Sequence, residues 1–129
     1  MLPDSDIAYL NERGISYQLA NEANMTCVII STWPLPPGFN HANADLLLRL
    51  NAGYPDIPPD MWWFSPDVTL ASGERLPATE VVEPYLNRTW HRWSRHFNAG
   101  QWQSGIDGLE SYLALIRAEL HRCVPEPAR

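Results

Sequence analysis

The sequence predicts an α+β domain: a four-stranded antiparallel meander preceded by a short helix and followed by a long one. Four observations predict it. Ala44 to Leu50 alternates, with Leu46, Leu48 and Leu50 on one face and Asp45 and Arg49 on the other, as a half-buried strand requires. Tyr54-Pro-Asp-Ile-Pro-Pro then stops any ladder or helix, because Pro55, Pro58 and Pro59 fix φ, remove three backbone donors and disfavour helix in the residue before each. The aromatic run Met61 to Phe64 follows as a further strand. Near the carboxyl end, Ile106, Leu109, Leu113, Ile116 and Leu120 recur at helical spacing.

From the amino terminus, Asp4 or Ser5 can cap a first helix whose apolar positions Ile7 and Leu10 lie three apart, and Gly14 supplies a left-handed stop. Ser16 to Ala20 and Met25 to Thr32 read as strands joined through the polar Asn21 to Asn24, since β-branched and aromatic residues dominate them. Cys27 falls in the second of these beside Val28, Ile29 and Ile30, where a cysteine acts as a small, inert hydrophobe. Trp33 to Asn43 holds Pro34, Pro36, Pro37 and Gly38 and forms a rigid connection. After strands three and four, Ser65 to Pro84 carries Pro66, Gly73, Pro77 and Pro84 among polar residues and reads as a long irregular surface loop. The last helix is expected from about Gly105 to His121 with Ser104 as its cap. Asp107 and Glu110 near its start and Arg117, His121 and Arg122 near its end complement the dipole, and Pro125 limits it.

At 129 residues, 45% hydrophobic and 19% charged, the chain fits one domain over residues 1–129 with enough apolar material for a core. It has no apolar run of about eighteen residues, and Met-Leu-Pro-Asp-Ser-Asp lacks the basic-then-apolar pattern of a signal peptide, so a cytoplasmic protein is expected. Cys27 and Cys123 suggest neither a disulfide framework nor a metal site, and reduced thiols are expected. A net charge of −6 argues against a general binder of nucleic acid or anionic membranes and points to protein partners. All nine cationic side chains are arginine. The lack of lysine removes every side-chain amine that an activated acyl group could attack by accident, although a codon bias toward arginine gives the same composition.

The order of apolar strand, Tyr54-Pro55-x-x-Pro58-Pro59 crossing and aromatic strand resembles the ubiquitin-conjugating enzymes, whose third and fourth strands flank such an element. The chain is similar to the bacterial branch, prokaryotic ubiquitin-conjugating family E, over roughly Pro3 to Leu120 in element order. That resemblance implies a ubiquitin-conjugating-like fold acting with a ubiquitin-like protein and an activating-type enzyme; from the residues themselves no cofactor and no metal are expected.

Asn87 to Phe97 packs three arginines, two histidines and two tryptophans into eleven residues. A helix here would line Trp90, Trp93 and Phe97 on one face and Arg88, Arg92 and His96 on another. Tryptophans at this spacing also serve as core anchors, with arginines stacked on them or paired with carboxylates such as Glu83. In the resembled family the acyl-carrying cysteine lies about eight positions before a tryptophan that leads into the next helix. Trp102 matches that tryptophan, and the residue eight before it is Ser94. No cysteine lies between Val28 and Arg122, so the resemblance implies a protein that lacks the catalytic cysteine. The family's His-Pro-Asn element is missing too, with Asn87 near where its asparagine would fall and able to donate to an oxyanion.

Two readings stay open. In one, Ser94 carries the modifier as an oxyester with His91 or His96 as base, while Arg88, Arg92, Arg95 and Trp93 bind a carboxyl terminus or an acidic partner. In the other, the domain is an inert scaffold that binds the modifier or the activating enzyme. A serine hydrolase is disfavoured, because Ser94 lies in no Gly-x-Ser-x-Gly elbow and is flanked by the bulky Trp93 and Arg95. The five-residue spacing of His91 and His96 suits no zinc pattern, and a nucleic-acid module would have to overcome the acidic remainder.

Overall fold

The computed structural model describes residues 2–98 and 100–124. Its elements are α1 (Asp4–Glu12), β1 (Tyr17–Glu22), β2 (Met25–Pro34), β3 (Asn43–Leu50), β4 (Trp62–Ser65), β5 (Val81–Tyr85), β6 (Arg88–Trp93) and α2 (Leu109–Cys123). The strands form one antiparallel sheet in the order β1-β2-β3-β4-β6-β5. The four-stranded meander expected from the sequence is therefore corrected to six strands curled as a half-barrel.

The first four strands fall close to the expected places, and the difference lies after them. Leu86 and Asn87 both adopt positive φ, 54° and 59°, the geometry of a two-residue hairpin turn whose twist matches its strands. Ala23 and Asn24, at 53° and 63°, use the same device to join β1 to β2. The stretch weighed as a helix is thus the strand β6, and the end of the expected loop is its partner β5. A period of two replaces one of 3.6, so Trp90 and Trp93, three apart, land on opposite faces of the sheet.

One face carries the main core. Val28, Ile30, Leu46, Leu48, Trp62 and Phe64 meet Leu10 of α1 and Leu109, Leu113, Ile116 and Leu120 of α2. The other face carries a smaller cluster of Cys27, Leu47, Trp63 and Trp90, to which neither helix contributes. The β5–β6 hairpin closes this side. Adjacent strands rotate by roughly 20–25°, so the four steps from β1 to β6 accumulate about a right angle. The hairpin tip then reaches the opposite end of the strand order, where the Leu86 N–H donates to the Glu22 carboxylate at 3.0 Å. Glu22 also pairs with Arg49 at 3.6 Å, and the Arg49 guanidinium lies 3.7 Å from the centre of the Tyr85 ring.

Both helix starts differ from expectation. α1 follows Pro3 with no side-chain cap, so Asp4 and Ser5 lie within the first turn, where the positive end of the helix dipole favours Asp4. Gly14 does take the left-handed conformation, at φ 65°. α2 starts at Leu109 rather than about Gly105, leaving Ile106 outside the helix and 78% exposed, and Ser104 is not its cap. Pro125, expected to limit the helix, lies outside the described residues.

The cap of α2 comes from far away in sequence. Asp6, only 5% exposed, accepts from the Leu109 N–H at 3.0 Å and from the Tyr54 hydroxyl at 2.6 Å. Burial, then the hydrogen bond to Asp6, pushes the Tyr54 hydroxyl far above its ordinary pKa, so it stays a donor. Gly108 is required here, because a Cβ on it would stand 2.8 Å from the Asp6 carboxylate oxygen. Ser111 accepts from the Gly108 N–H at 3.0 Å, which settles a second donor at this end. The proline crossing is fixed from the other side as well. Trp102 Nε1 donates to the Pro55 carbonyl at 2.9 Å, and the Tyr112 hydroxyl donates to the Met61 carbonyl at 2.7 Å. Among the described residues, no helix is long and apolar enough to cross a membrane.

Asp6→Ala is expected to lower stability by about 2–3 kcal/mol, the cost of orphaning a buried helix N–H and a buried hydroxyl together. Urea denaturation would show this as a lower midpoint at unchanged slope. Gly108→Ala should also destabilise, through the crowding of Asp6 rather than loss of its acceptor.

Candidate functional site

Ser94 is the first residue beyond β6, half-buried, its backbone held by an N–H donated to the Ala78 carbonyl at 3.0 Å. Its hydroxyl donates to the Met61 sulfur at 3.6 Å, a weak acceptor. Neither histidine is hydrogen-bonded to it among the described residues. His91 lies in β6 with Nδ1 3.5 Å from Asp67, a carboxylate held below its ordinary pKa chiefly by hydrogen bonds from Arg75. His96 is exposed and its Nδ1 lies 2.6 Å from Asp60. Asn87 occupies the hairpin turn, separated from Ser94 by the length of β6, roughly 20 Å at about 3.3 Å per residue. It does not share a site with Ser94.

The three arginines are paired rather than free. Arg88 reaches Asp45 at 2.7 Å and stacks on Trp90, 4.6 Å from the ring centre. Burial works to raise the pKa of Asp45, but the Thr32 N–H and Arg88 outweigh it and hold the carboxyl below its usual range. Arg92 lies 3.6 Å from Glu83, which also accepts from Trp63 Nε1 at 2.9 Å. Arg95 donates from Nε to Glu119 at 2.7 Å and from Nη1 to the Pro77 and Ser94 carbonyls at 3.0 and 3.1 Å. Trp93 is fully buried, stacked on Trp62 at 6.1 Å and edge-on to Phe64 at 5.5 Å, so its side chain packs the main core instead of meeting a ligand. The geometry therefore gathers Ser94, Arg95 and His96 at the end of β6 and leaves Asn87 and Arg88 at the far end of the strand.

What sequence reasoning missed is the contribution of α2. A cleft of about 350 Å³ opens beside Ser94's neighbours, lined by Trp62, Arg95, His96, Glu119 and Arg122. Glu119 anchors it, accepting from Arg95 and also, through both oxygens, from Arg122 at 2.8 and 2.7 Å. Hydrogen bonds from Arg122, opposed by burial and reinforced by Arg95, lower the Glu119 pKa to about 2. In the sequence, Glu119 and Arg122 form an ordinary helical i,i+3 pair, and nothing local reveals the link to Arg95.

The expectation that the chain lacks a catalytic cysteine does not stand, since two free thiols are present. Cys27 is fully buried in β2 against Trp63 and Trp90. Cys123 ends α2 half-buried, with Sγ 3.7 Å from Glu119. Burial, then the Glu119 charge, pushes this thiol above its ordinary pKa. No group of His, Cys, Asp and Glu that could hold a metal ion occurs among the described residues.

The third and fourth strands flank the Tyr-Pro-x-x-Pro-Pro crossing, and a tryptophan docks on that crossing ahead of the covering helix, the features on which the sequence resembles the ubiquitin-conjugating class. The chain belongs to prokaryotic E2 family E, whose model matches residues 2–123. Family membership supports E2-like transferase activity in general, with activating-type enzymes and ubiquitin-like proteins as the family's typical partners. Comparison with curated proteins and with solved structures gave no match.

The Glu119 cluster should set the acid limb of stability. Its folded pKa, about 2, lies below the ordinary 4.5, so its contribution is fully present above about pH 4.5 and lost as pH falls toward 2. Thermal unfolding followed from pH 7 to pH 2 should show a shallower acid decline in Glu119→Gln than in the wild type.

Proposed function

We propose that this E2-family domain receives a ubiquitin-like modifier from an activating-type enzyme and holds its carboxyl end over the end of β6, beside the Arg95–Glu119 cleft. The observation that carries this reading is Ser94. It lies eight residues before Trp102 in the family-matched segment, directly before Arg95 of that cleft, and among the described residues its hydroxyl meets only a sulfur. Redirecting that hydroxyl to an incoming acyl group costs little. In the transfer, the Ser94 oxygen bonds to the activated acyl carbon, the bond to the leaving group breaks, and the hydroxyl proton passes through a base to that leaving group. His96 is the base in this reading and exchanges Asp60 for the serine, while Arg95, paired with Glu119, keeps the end of β6 in place. His91, Arg88 and Arg92 shape the strand that carries the serine, and Asn87 takes no part in the chemistry.

A second reading, a scaffold that positions modifier and activating enzyme without carrying the acyl group, is favoured by a specific observation. Both histidines are held by carboxylates, and among the described residues no acid or base meets the Ser94 hydroxyl.

Incubation with the modifier, its activating enzyme and ATP separates the readings. Acyl transfer to Ser94 yields an adduct stable to thiols, cleaved by hydroxylamine and abolished in Ser94→Ala. Loss of His96 should slow its formation by about 10²–10⁴-fold. A thiol-sensitive adduct lost in Cys123→Ser would move the carrier to Cys123, and stable binding without any adduct would establish the scaffold.

A further inference from the structure

Eight arginines lie among the described residues, and six of them, Arg49, Arg75, Arg88, Arg92, Arg95 and Arg122, are paired with carboxylates. Arg13 and Arg117 have no carboxylate partner among those residues, and both line one cleft of about 370 Å³. The cleft lies where the end of α1, the bulge of β2 between Ile30 and Trp33, and the middle of α2 come together. Each of the two side chains rests on a ring. The Arg13 guanidinium lies 5.5 Å from the Tyr9 ring centre, and that of Arg117 lies 5.1 Å from the Trp33 ring centre. Stacking of this kind fixes a guanidinium plane while leaving its edge N–H donors free.

Further features mark this cleft. In a chain of net charge −6, no aspartate or glutamate lines it among the described residues. Asp45, which accepts from the Thr32 N–H at the rim, is already neutralised by Arg88 at 2.7 Å. Trp33, itself a lining residue and 3% exposed, has a buried Nε1 with no hydrogen-bond partner among the described residues, as Trp62 and Trp93 of the core also have. Ser16 and Ser31 add hydroxyls with no described side-chain partner. Two guanidinium groups on aromatic supports, with no carboxylate partner or carboxylate lining among the described residues, suit a planar or tetrahedral oxyanion.

We propose that this cleft is a binding site for an oxyanion, either a carboxylate of an acidic protein segment or a phosphate group. The site stands apart from the acyl-transfer reading, and Ser94→Ala should leave it unchanged.

The test follows the Trp33 indole N–H and the Arg13 and Arg117 backbone resonances of the full chain by NMR. One arm is titrated with inorganic phosphate, the other with a blocked Asp-Glu-Asp-Glu peptide. A saturable shift is expected in at least one arm, weakened by added salt and reduced at least about tenfold in affinity in the Arg13→Gln, Arg117→Gln double variant. A response to phosphate alone assigns a phosphate ligand, and a response to the peptide alone assigns a protein carboxylate. Both guanidinium groups are exposed, so the double variant should keep its fold, checked by an unchanged amide spectrum elsewhere. The proposal is overturned by no saturable shift in either arm, or by shifts that persist undiminished in the double variant.

Discussion

A buried carboxylate at one helix start holds together parts of the chain that are a hundred residues apart. Asp6 sits in the first turn of α1, caps the first N–H of α2 and receives the Tyr54 hydroxyl from the proline crossing. Gly108 has no side chain with which to cap α2 locally, so the helix depends on this remote acceptor. The position of α2 in turn fixes where Leu109, Leu113 and Ile116 meet the sheet, and where Glu119 meets Arg95. The same carboxylate thus stands behind both the main core and the cleft at the end of β6.

Charge in this protein is organised by pairing. Arg88, Arg92 and Arg95 look in the sequence like a cationic face, yet Asp45, Glu83 and Glu119 neutralise them from three different elements. Such pairs do more to fix strand and helix positions than to recruit an anionic partner, because their donors are already engaged. The density of arginine and tryptophan between Asn87 and Phe97 is better understood as a stiff strand buried on both sides. Trp90 fills the smaller cluster and Trp93 the larger one.

The legible parts of the fold were those with local, regular patterns. The alternation in Ala44 to Leu50 and the prolines of Tyr54 to Pro59 located β3, the crossing and β4 within a residue or two. The β5–β6 hairpin was missed because Pro84 and Pro77 suggest irregular chain, and because two tryptophans three apart fit a helix face as easily as opposite sides of a strand. The start of α2 was misplaced because Ile106 fits the helical period while pointing to solvent, and because the true cap is a residue a hundred positions earlier. At the site, Ser94 was found by its spacing from Trp102, and Arg95 and His96 by their nearness to it in the sequence. Glu119, Cys123 and Asp60 were not, since only folding brings them near.

The β5–β6 hairpin leaves β5 as an outer strand of the sheet, a place where backbone donors and acceptors invite another chain to add itself. Pro84 is the fourth of the five residues of that strand and has no N–H to offer. The turn that follows is bent over the sheet and tied to Glu22, so the outer edge is short and curved. Growth of the sheet by strand addition is disfavoured on this side, so the aromatic-rich β4 and β6 stay covered behind an edge that offers no straight template for fibrillar stacking.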